Sequence, residues 1–288
     1  MKQNWAWISQ LPVQGLNTSV REVIEFLRSE DCLFIVWGGS VRDAIRGHVP
    51  TDIDAAVTCN PHFLRRICIL KFGEENCQRP HPGSAKLVMG NLKAPGRSEG
   101  LLVAEPLDLA HWNTSFEVYG SKWEFSPDAL AYYVDIDAYG NDRSVIIDLY
   151  GKAMKDACSS QIAIPTKKEY WDEWSRENNV NKLLRYWKLR AKGFRAFVPE
   201  IHDFIVRRTK EDFSSDAAQY FYCHSILEGT FSNNACWVKN RKIYGKRIEK
   251  VRRFRKVIKE DIGEEFWQEK LKPAFDGMIL KVLPHIEK

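Results

Sequence analysis

No Cys-x-x-Cys pair and no cysteine and histidine cluster at zinc-ligand spacing occurs among the 288 residues, so the spacing excludes a structural zinc site. The 7 cysteines, at positions 32, 59, 68, 77, 158, 223 and 236, are scattered, and their odd number fits a disulfide framework poorly. A reducing compartment, the cytoplasm, is the simpler expectation. No apolar run approaches the roughly 18 residues that a membrane span needs. The start, "MKQNWAWISQLPVQGLN", lacks the basic and continuous apolar parts of a secretory leader. These absences predict a soluble chain with no membrane partner. There is no internal repeat and no long low-complexity segment, and no nucleophile stands beside a paired base. Net charge is also small: 43 basic against 38 acidic residues give +5, which does not single out a nucleic-acid binder.

What is present is enough chain for two domains, or for one domain with a helical extension. Over residues 18 to 30, Val20, Val23, Ile24 and Leu27 recur at helical spacing, with Thr18 or Ser19 as cap. "CLFIVW" has the pattern of a short buried strand ended by Gly38-Gly39, and "SVRDAIRG" that of a short helix closed by Gly47. "DIDAAV" alternates as a strand, and a helix follows with Asn60 as cap and Pro61 at its first position. Residues 73 to 100 suggest a strand and a loop rich in glycine and proline, and further strands follow to about residue 150. Beyond "IAIP" the pattern turns helical. The expected architecture is an α/β head with a small mixed sheet over 1–165 and an all-helical neck and short body over 166–288.

The stretch that carries chemistry is "FIVWGGSVRDAIRGHVPTDIDAAV", residues 34 to 57. Residues two apart on a strand face the same way, so Asp52 and Asp54 can reach one spot. A hard divalent cation such as Mg²⁺ takes oxygen ligands of this kind and keeps positions open for phosphate. Gly38 and Gly39 let backbone N–H groups come close to an anion, and Ser40 adds a hydroxyl. A phosphate cradle followed by a carboxylate pair within fifteen residues is what transfer of a nucleotide requires. Arg42 and Asp43 read as braces of the turn. His81 and His111 are isolated, and Trp171 and Trp174 are accounted for as core.

These residues resemble the GGxVRD…DxD signature of class II CCA-adding enzymes and bacterial poly(A) polymerases, in the polymerase-β-like nucleotidyltransferase superfamily. Later segments agree in order. "LDLAHW" falls where the family has a strand with a third carboxylate, here Asp108. "KWEFSPDALAYYVD" is similar to the RRDFTINALAY motif, "VIIDLYG" to the IDPFGG segment, and "NKLLRYWKLRAKGF" to the RLLRAxRFAxxxGF helix. The resemblance covers roughly residues 30 to 195. It implies Mg²⁺ held by Asp52, Asp54 and Asp108, and a nucleoside triphosphate, ATP first, in contact with Gly38, Gly39, Ser40, Arg42, Lys122, Glu124, Asp128 and Arg185.

Two departures limit what is carried over. Lys122-Trp123-Glu124 replaces the paired arginines and aspartate of the RRD motif. The base-selecting EDxxR motif falls near Asn178, Asn179 and Lys182, which offer hydrogen bonds to a base but no carboxylate beside a guanidinium. Selection of cytosine and adenine is therefore not implied. Fewer than 100 residues follow Phe194, and among them 239–259 is dense in Lys and Arg, with Glu249 as its only acid. There Ile243, Val251, Phe254 and Ile258 can seat one face while Lys246, Arg247, Lys250, Arg253 and Lys259 meet the phosphates of an RNA; a solvated helix face gives the same pattern. The expected activity is transfer of a nucleotide to an acceptor hydroxyl, with the 3′ end of tRNA or another small RNA as first acceptor. Nucleotidylation of a protein or small molecule, short-nucleotide synthesis, and RNA binding without turnover stay open as alternatives.

Overall fold

The computed structural model describes residues 13, 16–48, 53–78, 87–89, 107–111, 123–135, 137, 143–176, 179–212, 241–273 and 276. For 78, 87–89, 107–111, 175–176, 179–181 and 241–251 it describes the backbone alone. The chain divides into two compact units, Met1–Ser159 and Ser160–Lys288, where the sequence pattern put the change near 165.

In the first unit, α1 (Val20–Ser29) starts at a capping box: Ser19 Oγ accepts from the Glu22 amide, and Glu22 Oε2 accepts from the Ser19 amide at 2.6 Å. Such a cap stabilises a helix by about 1 kcal/mol. The predicted residues Val20, Val23, Ile24 and Leu27 are the ones α1 buries. β1 (Phe34–Trp37) runs into α2 (Gly39–Ile45), and β2 (Ile53–Val57) leads to α3 (Pro61–Phe72), capped by Asn60 Oδ1 on the His62 amide at 2.9 Å. β3 (Cys77–Gln78), β4 (Leu87–Met89), β5 (Leu107–His111), β6 (Leu130–Tyr133) and β7 (Val145–Asp148) complete a seven-stranded sheet in the order β3-β4-β5-β2-β1-β6-β7. Only β2 and β5 are parallel; the other pairs are antiparallel, so the sheet is mixed.

Strand alternation gives this sheet two unlike faces. Phe34, Val36, Ile53, Ala55, Val57, Leu130 and Tyr132 pack with residues of α1, α2, α3 and α4 (Ala153–Ser159) in the main core. The intervening residues Ile35, Trp37, Ala56 and Ala131 form a smaller cluster, to which no helix contributes among the described residues. At the turn into α4, the Asp148 carboxylate accepts from the amides of Tyr150, Gly151, Ala153 and Met154, at 2.6 to 3.1 Å.

The cysteines differ from expectation at one place. Cys32 and Cys59, 27 residues apart, form a disulfide with a Cα–Cα distance of 5.3 Å, joining the entry of β1 to the exit of β2. The antiparallel register creates this proximity by pairing Phe34 with Val57. Cys68 and Cys77 are buried thiols outside this disulfide; the hydrogen bond between them, with burial, pushes the Cys68 thiol up.

A buried ionic cluster fixes α2. The Arg42 guanidinium is 5% exposed and donates to Asp43 at 2.8 Å and to Asp128, itself 3% exposed, from the short turn 126–128. Burial pushes Arg42 down, but Asp128 and then Asp43 outweigh it and leave it raised.

In the second unit, α5 (Trp171–Arg176), α6 (Asn179–Ala191), α7 (Pro199–Asp212) and α8 (Arg241–Ile262) hold most of the described residues, beside a two-stranded pair of β8 (Gln161–Ile162) and β9 (Arg195–Ala196). Leu183, Leu184, Tyr186, Trp187 and Leu189 of α6 are buried, as are Ile201, Phe204 and Ile205 of α7 and Phe254, Ile258 and Ile262 of α8. Trp187 Nε1 donates to Thr209 Oγ1 at 3.0 Å, and Arg190 forms a two-pronged pair with Asp261 at 2.8 and 3.0 Å. α8 is thereby anchored to α6.

Removing one member of a buried ion pair leaves a charge uncompensated, so Asp128→Ala should lower unfolding free energy by about 3 to 5 kcal/mol in urea denaturation. Glu25→Ala, which breaks only the exposed Arg21–Glu25 pair, should cost less than about 0.5 kcal/mol. Equal losses would contradict the assignment.

Candidate active site

The site is built where β1 ends. Gly38 takes φ 67° and ψ −132°, a conformation that L side chains rarely adopt, and its amide donates to the Leu130 carbonyl at 2.9 Å. A Cβ at Gly38 would lie 2.9 Å from Cη2 of Trp123, and one at Gly39 would lie 3.3 Å from Nη2 of Arg42. The turn is thus bounded by an indole and by the buried guanidinium. Gly38 needs bare backbone for both its φ and its packing, whereas a Cβ at Gly39 would require the Arg42 guanidinium to give by a few tenths of an ångström.

Ser40 connects this turn to the carboxylate strand. Its side chain is buried, and its Oγ accepts a hydrogen bond from the Asp54 amide at 3.3 Å, across 14 residues of sequence. Ser40, expected at a phosphate, here takes part in this internal bond as the acceptor. Asp54 is half-buried and shares the parity of Ala56, so it belongs to the sheet face that the helices leave alone. The parallel register sets Asp108 of β5 directly beside Asp54 of β2. Asp52 lies outside the described residues, and of Asp108 the backbone alone is described. Among the described residues, no three His, Cys, Asp or Glu side chains form a group that could hold a metal ion.

The other expected contacts divide. Arg42 and Asp128, expected at the nucleotide, are turned to each other inside the protein, because a buried guanidinium needs its carboxylates at hand. Glu124 is half-buried next to Trp123, and Lys122 lies outside the described residues. Ser126, which opens the 126–128 turn, bonds to Asp156, whose carboxyl is pushed up by burial and, less strongly, by Asp148, while the Ser126 bond pulls it down.

In the second unit, Asn178 is outside the described residues, Asn179 begins α6, and Arg185 is exposed. Lys182, expected to offer a hydrogen bond to a base, is engaged by Trp174. Its ammonium donates to the Trp174 carbonyl at 2.5 Å and lies 5.1 Å from the centre of the Trp174 ring. Trp171 is core, as expected, but Trp174 is only half-buried. On α8, Phe254 and Ile258 are seated as predicted, Arg253 is exposed, and Lys259 pairs with Glu264 at 2.6 Å. The side chains of Ile243, Lys246, Arg247, Lys250 and Val251 lie outside the described ones. Arg252, Arg255 and Lys256 are also exposed, and Arg255 lies over Trp267. Their place follows from helical period once Phe254 and Ile258 are taken as the buried stripe.

No protein-family model and no curated protein matches the chain. Solved structures do match it in fold. A CCA-adding enzyme in complex with ATP is 16% identical with a TM-score of 0.53, over 83% of this chain and 50% of that one. A tRNA nucleotidyltransferase with a primer tRNA and an incoming ATP analogue is 17% identical with a TM-score of 0.51, over 84% and 62%. An apo tRNA-processing enzyme is 14% identical with a TM-score of 0.52, over 90% and 81%. The chain spans 58% of another tRNA-processing enzyme and 50% of the CCA-adding enzyme, so it corresponds to part of their length. The fold is the one that these proteins share, and it is the fold that the motif resemblance implied.

Gly38 and Gly47 offer a matched test, because both have positive φ, 67° and 73°, but nothing lies within 4 Å of a Cβ at Gly47. Gly47→Ala should cost about 1 kcal/mol from backbone strain alone. Gly38→Ala should cost at least about 2 kcal/mol more, since Trp123 must also move. Equal costs in urea denaturation would contradict the packed turn.

Proposed function

We propose that the chain is a metal-dependent nucleotidyltransferase that moves a nucleoside monophosphate from a triphosphate to an acceptor hydroxyl, with release of pyrophosphate. One observation carries this reading: the bond from the Asp54 amide to Ser40 Oγ holds the glycine turn and the carboxylate strand together as one site. The fold shared with nucleotidyltransferases supports it.

The donors fit a hard divalent cation. Asp54 and Asp108 stand side by side in register, Asp52 is two residues before Asp54, and carboxylate oxygen suits Mg²⁺. When bound to these three aspartates, Mg²⁺ supplies charge neutralisation at the phosphates and a lowered pKa at the acceptor hydroxyl. The chain's own part is positioning. The bare backbone of Gly38 and Gly39 lets the triphosphate come close, Lys122 adds a cation, Glu124 supplies a carboxylate for the ribose or for an arginine partner, and Ser40 ties the turn to the strand. Arg42 and Asp128 act beneath the turn by holding its shape. Reaction needs an acceptor oxygen in line with the α-phosphorus, so catalysis of this kind rests on orientation and electrostatics.

For the acceptor we favour the 3′ end of an RNA, tRNA first, and for the donor ATP. The exposed Arg252, Arg253, Arg255 and Lys256 of α8 favour a phosphate backbone as partner. A protein or small-molecule acceptor is the second reading, and the engagement of Lys182 by Trp174 favours it, because an RNA 3′-end polymerase needs a reader for the incoming base.

The test is transfer from each of the four labelled NTPs to total small RNA with Mg²⁺. The wild-type chain should extend RNA with one preferred NTP, and Asp54→Asn should reduce transfer by about 100-fold or more. Label found on protein or small molecules would move the conclusion to the second reading. Absence of transfer to anything, with RNA affinity equal in both proteins, would contradict the enzyme reading.

A further inference from the structure

On the sheet face that carries Asp54, the only cover among the described residues comes from side chains outside the helices. Trp123 is the largest of them. It packs against the cluster of Ile35, Trp37, Ala56 and Ala131, meeting Trp37 nearly edge-on with ring centres 6.1 Å apart and planes at 75°. Its far edge is what a Cβ at Gly38 would strike, at 2.9 Å from Cη2 and 3.1 Å from Cζ3. Its Nε1 is shielded from solvent and has no hydrogen-bond partner among the described residues. A shielded N–H without an acceptor is unfavourable, so the ring stays there through packing. One indole therefore touches both the turn expected to hold phosphate and the strand residue that precedes it.

We propose that Trp123 is the positioning residue that sets the glycine turn for the nucleotide: it wedges Gly38 into its positive-φ conformation and so determines triphosphate affinity through shape. This rests on the nucleotidyltransferase reading and deepens it. Gly38 alone is free to sample both signs of φ. The indole removes that freedom from one side, as the Gly38 amide bond to Leu130 does from the other. An aromatic ring on Trp37 is a rigid wedge, and the position calls for ring shape more than for charge. In the motif that this segment resembles, an arginine stands here, so a cation is the natural competing explanation of what the position supplies.

The experiment compares Trp123→Ala, Trp123→Phe and Trp123→Arg with the wild-type full chain. It measures dissociation constants for each NTP with Mg²⁺ by calorimetry, KM and kcat for transfer, and the folded fraction by circular dichroism. Ala should weaken NTP binding and raise KM together by about tenfold, while kcat at saturation falls less than about threefold. Phe, which keeps a ring on Trp37, should stay within about threefold of wild type. Arg should be as weak as Ala.

A merely structural role would lower the active fraction and leave the dissociation constant of the folded protein unchanged; that outcome overturns the proposal. Arg binding at or above wild-type affinity overturns it as well, since charge would then be the determinant. If Ala unfolds the domain, Phe and Arg decide between themselves: Phe tight with Arg weak supports the wedge, and the reverse overturns it. A wild-type chain that binds no NTP overturns the functional reading and this inference with it. Wild-type binding with an unaffected Ala variant overturns the inference alone.

Discussion

The guanidinium of Arg42 lies under the glycine turn with Asp43 on one side and Asp128 on the other, and the arrangement of the site depends on it. A charge so far from water is tolerated only when its partners are in place. Asp43 is its chain neighbour on α2, but Asp128 comes from a turn 86 residues away that leads directly into β6. The pair therefore holds α2 against the segment that carries the next strand beside β1. Because Arg42 also fills the space below Gly39, the ion pair and the bare backbone above it are parts of one packing arrangement.

From that anchor the rest follows by strand geometry. β1 and β2 pair antiparallel, so the turn leaving β1 lies beside the start of β2, and Ser40 closes the gap with its bond to Asp54. The same alternation that buries Ile53, Ala55 and Val57 under helices puts Asp54 on the opposite face. One face of the sheet is thus given to stability and the other is left for carboxylates and the two tryptophans. The disulfide between Cys32 and Cys59 lies beyond the other end of the same strand pair, past the Phe34–Val57 partners.

Local signals were legible in the sequence to the extent that their physics is local. The Ser19 capping box, Asn60 with Pro61, and the apolar stripe of α1 are decided within one helical turn. The glycine turn and the alternating strand after it were legible for the same reason. Pairings across long separations were not: no periodicity reveals that Arg42 meets Asp128, that Cys32 meets Cys59, or that Trp123 stands against Gly38. Arg42 was legible as a brace of the turn, but its distant partner Asp128 was not, and neither was the bond that ties Ser40 to Asp54 across 14 residues. The exposure of Arg252, Arg255 and Lys256 is within reach of the helical period, whereas charge density alone does not single them out.

The most direct measurement is a crystal structure of the chain with Mg²⁺ and a non-hydrolysable NTP analogue. The account predicts the triphosphate against the Gly38 and Gly39 backbone, with the cation between it and the carboxylate of Asp54. A nucleotide bound elsewhere, or bound at the turn with no cation at Asp54, would contradict it.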